Sequence, residues 1–145
     1  MQNLPHHYHV SATAVSEGNV ELTSPGLAAI ESAAPAQFGG PGDCWSPESL
    51  LVAAVADCFI LTFQAIARAS KLEWISLSCD AEGTLDRVDR LTRFTDFHLK
   101  VVLVCPPGTD EHKAMHLLEK AEKVCLITNS LSSEIHLDAQ VQIAG

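Results

Sequence analysis

The chain has 145 residues, five cysteines and a formal net charge of −9 at pH 7. A chain of this length is normally one domain, so we predict a single domain over residues 1–145. The negative charge argues against nucleic acid or an anionic membrane as partner. An odd number of cysteines without metal-type spacing fits a reducing compartment, which predicts a cytoplasmic protein. Asp57 and Gln64 interrupt the most apolar stretch, so we expect no transmembrane span.

The charges are unevenly distributed along the chain. Residues 1–67 contain six carboxylates and no lysine or arginine, and all nine basic side chains lie from Arg68 onward. The first half of the chain therefore supplies no permanent cation to any site.

The first 67 residues predict a hairpin, a loop and a helix. Polar and apolar residues alternate over 8–14, and Glu17, Gly18 and Asn19 offer a turn before a short strand at 20–22. Residues 33–45 are rich in Ala, Gly and Pro without periodicity, which indicates a loop. Ser46 is a good N-cap and Pro47 suits the first helical turn, so a buried helix is predicted from there to about residue 67.

The second half predicts two strands, a helix and a last strand. Residues 75–81 alternate, and the strand at 94–105 carries polar Asp96, His98 and Lys100 on one face. These two strands are expected to pair antiparallel. Asp110 and Glu111 begin a helix that runs to about residue 124, and residues 135–143 form a closing strand. This order indicates an α+β domain.

Two cysteines lie on the predicted helices. On 100° steps Cys58 shares a stripe of its helix with small and apolar residues, while Asp57 points elsewhere; the stripe contains Leu51, Ala54, Val55, Leu61, Thr62 and Ala65. Cys125 falls on the buried face of the second helix. A free cysteine usually packs as a small hydrophobe, but two thiols on helices that meet could form a reversible disulfide.

Three segments together resemble the OsmC/Ohr family of thiol-dependent peroxidases. They read SPESLL at 46–51, ADCF at 56–59 and KVCLITNSL at 123–131. The order and spacing of the predicted elements agree with the family over nearly the whole chain. The resemblance implies an intertwined homodimer in which antiparallel sheets wrap two central helices, with the active sites at the subunit interface.

The resemblance also implies a chemistry. Cys58 would attack an organic hydroperoxide and become a sulfenic acid, and Cys125 would condense with it to a disulfide. A small dithiol or a lipoyl-type protein would restore both thiols, and no cofactor is implied. Candidate residues lining an apolar substrate pocket are Phe38, Trp45, Phe59 and Phe63, although core packing is the more ordinary role of each aromatic residue. The alternative is a protein of the same fold, without peroxidase activity, that binds an apolar small molecule at the dimer interface.

Glu48 matches a glutamate that, in the family, pairs with an arginine from the N-terminal region. This chain has no such arginine, so a later one (Arg87, Arg90 or Arg93) reaches the site, a histidine (His6, His7 or His9) substitutes, or activation of the cysteine is weak. Burial and a nearby carboxylate both disfavour a thiolate. Without a substitute cation, we expect Cys58 to be less acidic than the cysteine of a fully equipped peroxidase and to react slowly at neutral pH, with a rate that rises with pH.

The remaining histidines and cysteines predict no further site. His112 and His116 are spaced i, i+4 on a helix, and His7 and His9 share one face of a strand, yet neither pair has a carboxylate or thiolate in a recognised metal-binding pattern. We therefore predict no metal site. The other three thiols are interpreted as incidental: Cys44, Cys79 and Cys105.

Overall fold

The computed structural model describes residues 1–145. The chain has two compact units, residues 1–50 and residues 51–145, and each is described by itself. That the two units act as the one domain expected from the chain length stays a prediction. Together they contain two β-sheets and three α-helices, a mixed α+β fold as the order of predicted elements indicates.

The first unit contains a small antiparallel sheet of three strands in the order β1-β2-β3. The strands are β1 (Ser11–Thr13), β2 (Val20–Thr23) and β3 (Ile30–Ser32). The predicted hairpin is confirmed, because Ala12 pairs with Leu22, although β1 is shorter than expected. The sequence analysis missed β3, which has only three residues and no clear alternation. The predicted loop that follows contains one 3₁₀ turn at Ala36–Phe38.

Helix α1 (Pro47–Ala69) begins at the predicted residue. The backbone N–H of Ser49 donates to Ser46 Oγ at 3.0 Å, and the N–H of Ser46 donates to Ser49 Oγ at 2.8 Å. This reciprocal capping satisfies two of the N–H groups that a helix N-terminus leaves unpaired. Helix α1 therefore has a sharply defined start.

The second unit contains the longer sheet, in the order β4-β5-β6. Strands β4 (Ser76–Val88) and β5 (Leu91–Cys105) form the expected antiparallel hairpin, but both extend further than predicted. They meet at a two-residue turn in which Asp89 and Arg90 both have positive φ, as a type I′ turn requires.

The last strand corrects one part of the predicted fold class. Strand β6 (Glu134–Ile143) pairs with β5 in parallel, so this sheet is mixed and the expectation of wholly antiparallel sheets is wrong. Two helices, α2 (Glu111–Val124) and α3 (Leu126–Asn129), lie between β5 and β6 in the chain. They return the chain to the end of the sheet at which β5 begins. A strand that starts at that end runs parallel to β5.

The core of the second unit lies between one face of the sheet and the helices. Alternate residues of β5 are buried, and α1 and α2 bury one side chain per turn against them. The buried residues of β5 are Phe97, Leu99, Val101, Leu103 and Cys105; those of the helices are Val55, Phe59, Phe63, Ala67, Ala114, Leu117, Leu118 and Ala121.

The other side of α1 has no cover within the chain. By length and composition, α1 is the one helix that could cross a membrane, and only 22% of its most apolar part is buried. Leu61, for example, is 56% exposed. A single chain thus leaves an apolar helix face uncovered, and the sequence-based expectation of no membrane span stays a prediction.

Gly83 in β4 provides a test of this packing. A Cβ atom at this position would lie 2.9 Å from Phe94 Cε1 and 2.9 Å from Val52 Cγ2, closer than real contacts allow. Because the neighbours are packed, we expect Gly83→Ala to lower the free energy of unfolding by about 1–3 kcal/mol. Urea denaturation at a fixed protein concentration measures this.

The matched control is Ser78→Ala on the exposed face of the same strand, which we expect to change the free energy by less than about 0.5 kcal/mol. Equal stabilities of the two variants would contradict the packing described here.

Candidate functional site

Cys58 lies half-buried on α1 and opens into a cavity of about 550 Å³. The lining is mostly apolar, and its residues are Ala54, Asp57, Cys58, Leu61, Thr62, Ala65, Val124, Leu126 and Ile127. Four of the six residues predicted to share the stripe of Cys58 are therefore present. The other two, Leu51 and Val55, pack in the core, which contacts a different face of the same helix.

Two details of the predicted stripe are wrong. Asp57 does not point elsewhere, because it lines the same cavity one residue before Cys58. Cys58 itself is not fully buried, since the core-facing positions of α1 are taken by Val55 and Phe59. The thiol thus has an apolar neighbourhood and access from outside the chain.

Cys125 lies at the break between α2 and α3 and is only 1% exposed. Its backbone is extended, with φ −61° and ψ 119°, so it ends α2 and caps α3. Its carbonyl accepts hydrogen bonds from Asn129 N at 3.1 Å and Thr128 Oγ1 at 3.2 Å. The N–H groups of Leu126 and Ile127, in the first turn of α3, have no partner within their own helix. The break therefore leaves two free donors beside a buried thiol.

These donors act on Cys58. Partial burial works against its thiolate, but hydrogen bonds from the Cys125 thiol, the N–H of Ile127, the Thr62 hydroxyl and the N–H of Leu126 outweigh it and lower the pKa of Cys58. The distance from Cys58 Sγ to Thr62 Oγ1 is 3.8 Å. Burial and charged side chains alone would not lower this pKa, and that Cys58 is less acidic than the cysteine of a fully equipped peroxidase stays a prediction.

The other four thiols have the opposite shift. Burial raises the pKa of Cys125, and its hydrogen bond to Cys58 raises it further, so Cys125 remains the protonated donor. Burial and the neighbouring Asp80 raise the pKa of Cys79 to about 11. The pKa values of Cys44 and Cys105 are also raised, first by burial. Cys58 is thus the one thiol of five that the fold activates, and this agrees with an incidental role for Cys44, Cys79 and Cys105.

The four aromatic residues predicted to line the pocket do not line the cavity beside Cys58. Phe59 and Phe63 are fully buried in the core, where Phe63 packs edge-on against Trp74 at 5.6 Å. Both follow the core side of α1, one turn apart, and so cannot also face the cavity. Phe38 and Trp45 belong to the first unit, where both are exposed.

Glu48 lies in the first turn of α1, within the first unit. Its Oε1 atom is buried without a hydrogen-bond partner. The side chain borders a cavity of about 350 Å³ that Phe38 and Val20 also line. A buried, unpaired carboxylate oxygen is costly. The sequence offers Glu48 no lysine or arginine before Arg68. In the single chain, no basic side chain forms an ion pair with Glu48 either.

Comparisons with known proteins identify the family of the chain. A family model described as OsmC-like protein matches residues 40–140. The chain belongs to this family. It is 31% identical to the organic hydroperoxide resistance protein of Xanthomonas axonopodis pv. citri, over 88% of this chain and 87% of that one. It is 27% identical to the uncharacterized protein YmaD of Bacillus subtilis, over 97% of both chains.

A solved structure shares the fold. An OsmC-like protein of unknown function from Vibrio cholerae superposes with a TM-score of 0.85, over 94% of this chain and all of that one, at 21% sequence identity. This similarity confirms the OsmC-like fold, and at that identity it bears on the fold alone.

The sequence analysis missed the donors that surround Cys58. Thr62 was placed on the stripe, and its position four residues after Cys58 is a usable signal, because i and i+4 side chains meet on a helix. The N–H groups of Leu126 and Ile127 have no side-chain signature, and their role depends on the break at Cys125.

Removing one donor tests the activation of Cys58. Valine has nearly the shape of threonine, so we expect Thr62→Val to keep the packing, raise the pKa of Cys58 and move the pH midpoint of its alkylation upward. A lost hydrogen bond of about 0.5–1.5 kcal/mol corresponds to roughly 2- to 10-fold slower alkylation at neutral pH. Iodoacetamide labelling followed by peptide mass spectrometry measures this.

Thr92→Val, on the β4–β5 hairpin, is the matched control and should leave the alkylation profile of Cys58 unchanged. A profile of Thr62→Val that superposes on that of the wild type would show that the hydroxyl does not activate the thiol.

Proposed function

We propose that this protein is a thiol-dependent peroxidase that reduces organic hydroperoxides through Cys58 and Cys125. The observation that carries the proposal is that Cys58 alone among five thiols has a lowered pKa, next to a protonated partner thiol and an apolar cavity. The name of the Xanthomonas relative, an organic hydroperoxide resistance protein, supports the same substrate class.

The roles of the two thiols follow from their environments. The Cys58 thiolate attacks the distal peroxide oxygen, the O–O bond breaks, and the alkoxide leaves and takes up a proton to become the alcohol. Cys58 is then a sulfenic acid. Cys125, which the fold keeps as a thiol, attacks the sulfenic sulfur; a disulfide forms and water leaves. A dithiol or lipoyl-type reductant returns both residues to thiols by exchange.

The cavity favours an apolar hydroperoxide over hydrogen peroxide. Ala54, Leu61, Ala65 and Val124 offer hydrocarbon surface to an alkyl chain, and its transfer from water contributes about 0.8 kcal/mol per buried CH₂. Asp57 places a carboxylate in the lining, which disfavours an anionic group at that point.

All five thiols are free, so we also propose a reducing, cytoplasmic compartment.

Cysteine variants test the reaction. We expect Cys58→Ser to abolish consumption of cumene hydroperoxide by the reduced protein, because the nucleophile is gone. Without added thiol, Cys125→Ser should complete one stoichiometric turnover and leave a sulfenic acid on Cys58, where the wild type forms the Cys58–Cys125 disulfide. Peroxide assays combined with intact-mass analysis measure both.

The matched control is Cys79→Ser, whose thiol has a raised pKa and which should retain turnover. Unchanged peroxide consumption by Cys58→Ser would refute the proposed function, and so would a disulfide that excludes Cys125 after stoichiometric peroxide.

We propose further that the protein is a homodimer in which a second copy covers the exposed side of α1. The uncovered apolar surface next to Cys58 includes Leu61, Val124 and Leu126, the last of these 76% exposed. An apolar patch at a functional cavity is typical of an interaction site. A dimer would enclose the cavity at the subunit interface and exclude water from the thiolate. It would also cover the apolar face of α1, which a single chain leaves exposed.

A charge in this patch tests the dimer. We expect Leu61→Glu to shift the sedimentation mass from dimer to monomer, because the carboxylate would be buried unpaired at the interface. Leu91→Glu makes the same change at an exposed apolar residue of the β4–β5 turn, and it should stay dimeric. A wild-type monomer at all concentrations would refute the interface.

Glu48 is proposed as a positioning residue that holds a cation near the site in the assembled dimer. Its buried, unpaired Oε1 is the observation that supports this role. The candidates that the sequence offers are still Arg87, Arg90 or Arg93 and, alternatively, the histidines His6, His7 or His9. No arginine takes part in the ion pairs of the single chain, all of which involve His136. These arginines are thus available to a partner.

The second candidate function is binding of an apolar small molecule at the same interface without peroxidase chemistry. The apolar lining of the cavity and the absence of any lysine or arginine before Arg68 favour it. The cysteine assay distinguishes the two functions. A binding protein without peroxidase activity would show no turnover of cumene hydroperoxide, so Cys58→Ser would not change the measured consumption.

A further inference from the structure

The outer face of the second sheet carries a group of residues with no part in the proposed chemistry. His98 on β5 and His136 on β6 are direct neighbours in the parallel pairing, and Asp96 lies two residues before His98 on the same face. The two imidazole rings stack with centroids 4.4 Å apart and 13° between their planes. His136 Nε2 lies 3.0 Å from Asp96 Oδ1. The intervening residue Phe97 points into the core, so this face is separated from Cys58 by the sheet.

The donor atoms of this group lie close enough together to bind one metal ion after small side-chain rotations. One ligand atom from each of Asp96, His98 and His136 lies within 4.8 Å of the other two. A fourth donor, Glu134 Oε2, lies 3.7 Å from His136 Nε2. Tetrahedral zinc, with bonds of about 2.0–2.2 Å, separates its ligand atoms by about 3.3–3.6 Å. The observed separations span this value, so small rotations of exposed side chains suffice.

The charge of the surrounding face favours a cation. Besides the two histidines, the outward positions in the three rows centred on His98 carry five carboxylates and one lysine: Asp80, Glu82, Asp96, Glu134, Asp138 and Lys100. Lys100 lies directly between Asp80 and Asp138 in the register, one row away from the two histidines. A dication bound next to His98 is therefore attracted by the face as a whole.

We infer that Asp96, His98 and His136 form a zinc-binding site, with Glu134 within reach as a fourth ligand. Two imidazoles and carboxylates are a donor set that borderline divalent cations prefer, and two hydrogen-bonded strands hold the ligands on a rigid support. Water completes the coordination where Glu134 does not bind. The sheet lies between this site and the Cys58 cavity, so the inference does not depend on the proposed function.

The proposed site differs from the sequence-based prediction of no metal site. That prediction weighed the pairs His112–His116 and His7–His9, which are neighbours in sequence. His98 and His136 are far apart in the chain and meet only because β6 pairs with β5 in parallel.

Zinc titration of the full-length reduced protein tests the inference. ZnCl₂ is added against a chromophoric chelator, and the histidine ring signals are followed by NMR. We expect one zinc equivalent that shifts the rings of His98 and His136 and leaves His112 and His116 unmoved. His98→Gln and His136→Gln should each weaken this equivalent by at least about tenfold. Both side chains are exposed, so circular dichroism and the melting temperature should stay unchanged.

Asp138→Asn is the matched control, because it removes a carboxylate two residues beyond His136 on the same face without removing a proposed ligand. It should keep the zinc affinity within about twofold, whereas Asp96→Asn should lose it. Cysteine thiols also bind zinc, so the decisive quantity is the difference between the wild type and His136→Gln. Equal zinc binding by these two proteins would overturn the inference, and so would an equal loss in Asp138→Asn.

Discussion

The break between α2 and α3 at Cys125 is the constraint on which the candidate site depends. The extended backbone of this one residue ends a helix of 14 residues and starts another of four. As a result the Cys125 thiol and the N–H groups of Ile127 and Leu126 all lower the pKa of Cys58. Had α2 continued through residue 129, the N–H groups of Leu126 and Ile127 would donate to carbonyls of the same helix and could not donate to Cys58. The activation of Cys58 therefore comes from backbone dipoles as well as side chains.

This arrangement explains how a chain without an early arginine still lowers the pKa of Cys58. The thiolate form of a cysteine is favoured by hydrogen bonds donated to its sulfur and, independently, by a neighbouring cation. Here the hydrogen bonds alone offset the burial of Cys58. The unpaired carboxylate oxygen of Glu48 shows that the ionic contribution is not made within the single chain.

Residues whose roles depend on local pattern could be predicted from the sequence. The caps at Ser46 and Asp110 act through neighbours three residues away, and the sequence predicts the cap at Ser46 and the start of the second helix at about Asp110. The alternation of β5 follows from periodicity in the same way.

Long-range pairing could not be predicted. The parallel register of β6 follows from the path of two intervening helices, and the donors around Cys58 are backbone groups of a four-residue helix. Phe59 and Phe63 were assigned to the pocket because aromatic residues suit both a core and a substrate, and periodicity alone does not say which side of an apolar helix faces the sheet. The resemblance to a family identified the two thiols, while their unequal pKa values required the three-dimensional arrangement.

The parallel pairing of β5 with β6 has a consequence for how the chain folds. Hairpin β4–β5 closes through a two-residue turn, whereas β6 pairs with β5 only after the intervening α2 and α3 have brought the chain back, and such non-local contacts form slowly. The segment that donates hydrogen bonds to Cys58 belongs to this late connection. We therefore expect a nascent or partly folded chain to have an ordinary thiol at Cys58, and the pKa of this thiol to fall only when the fold is complete.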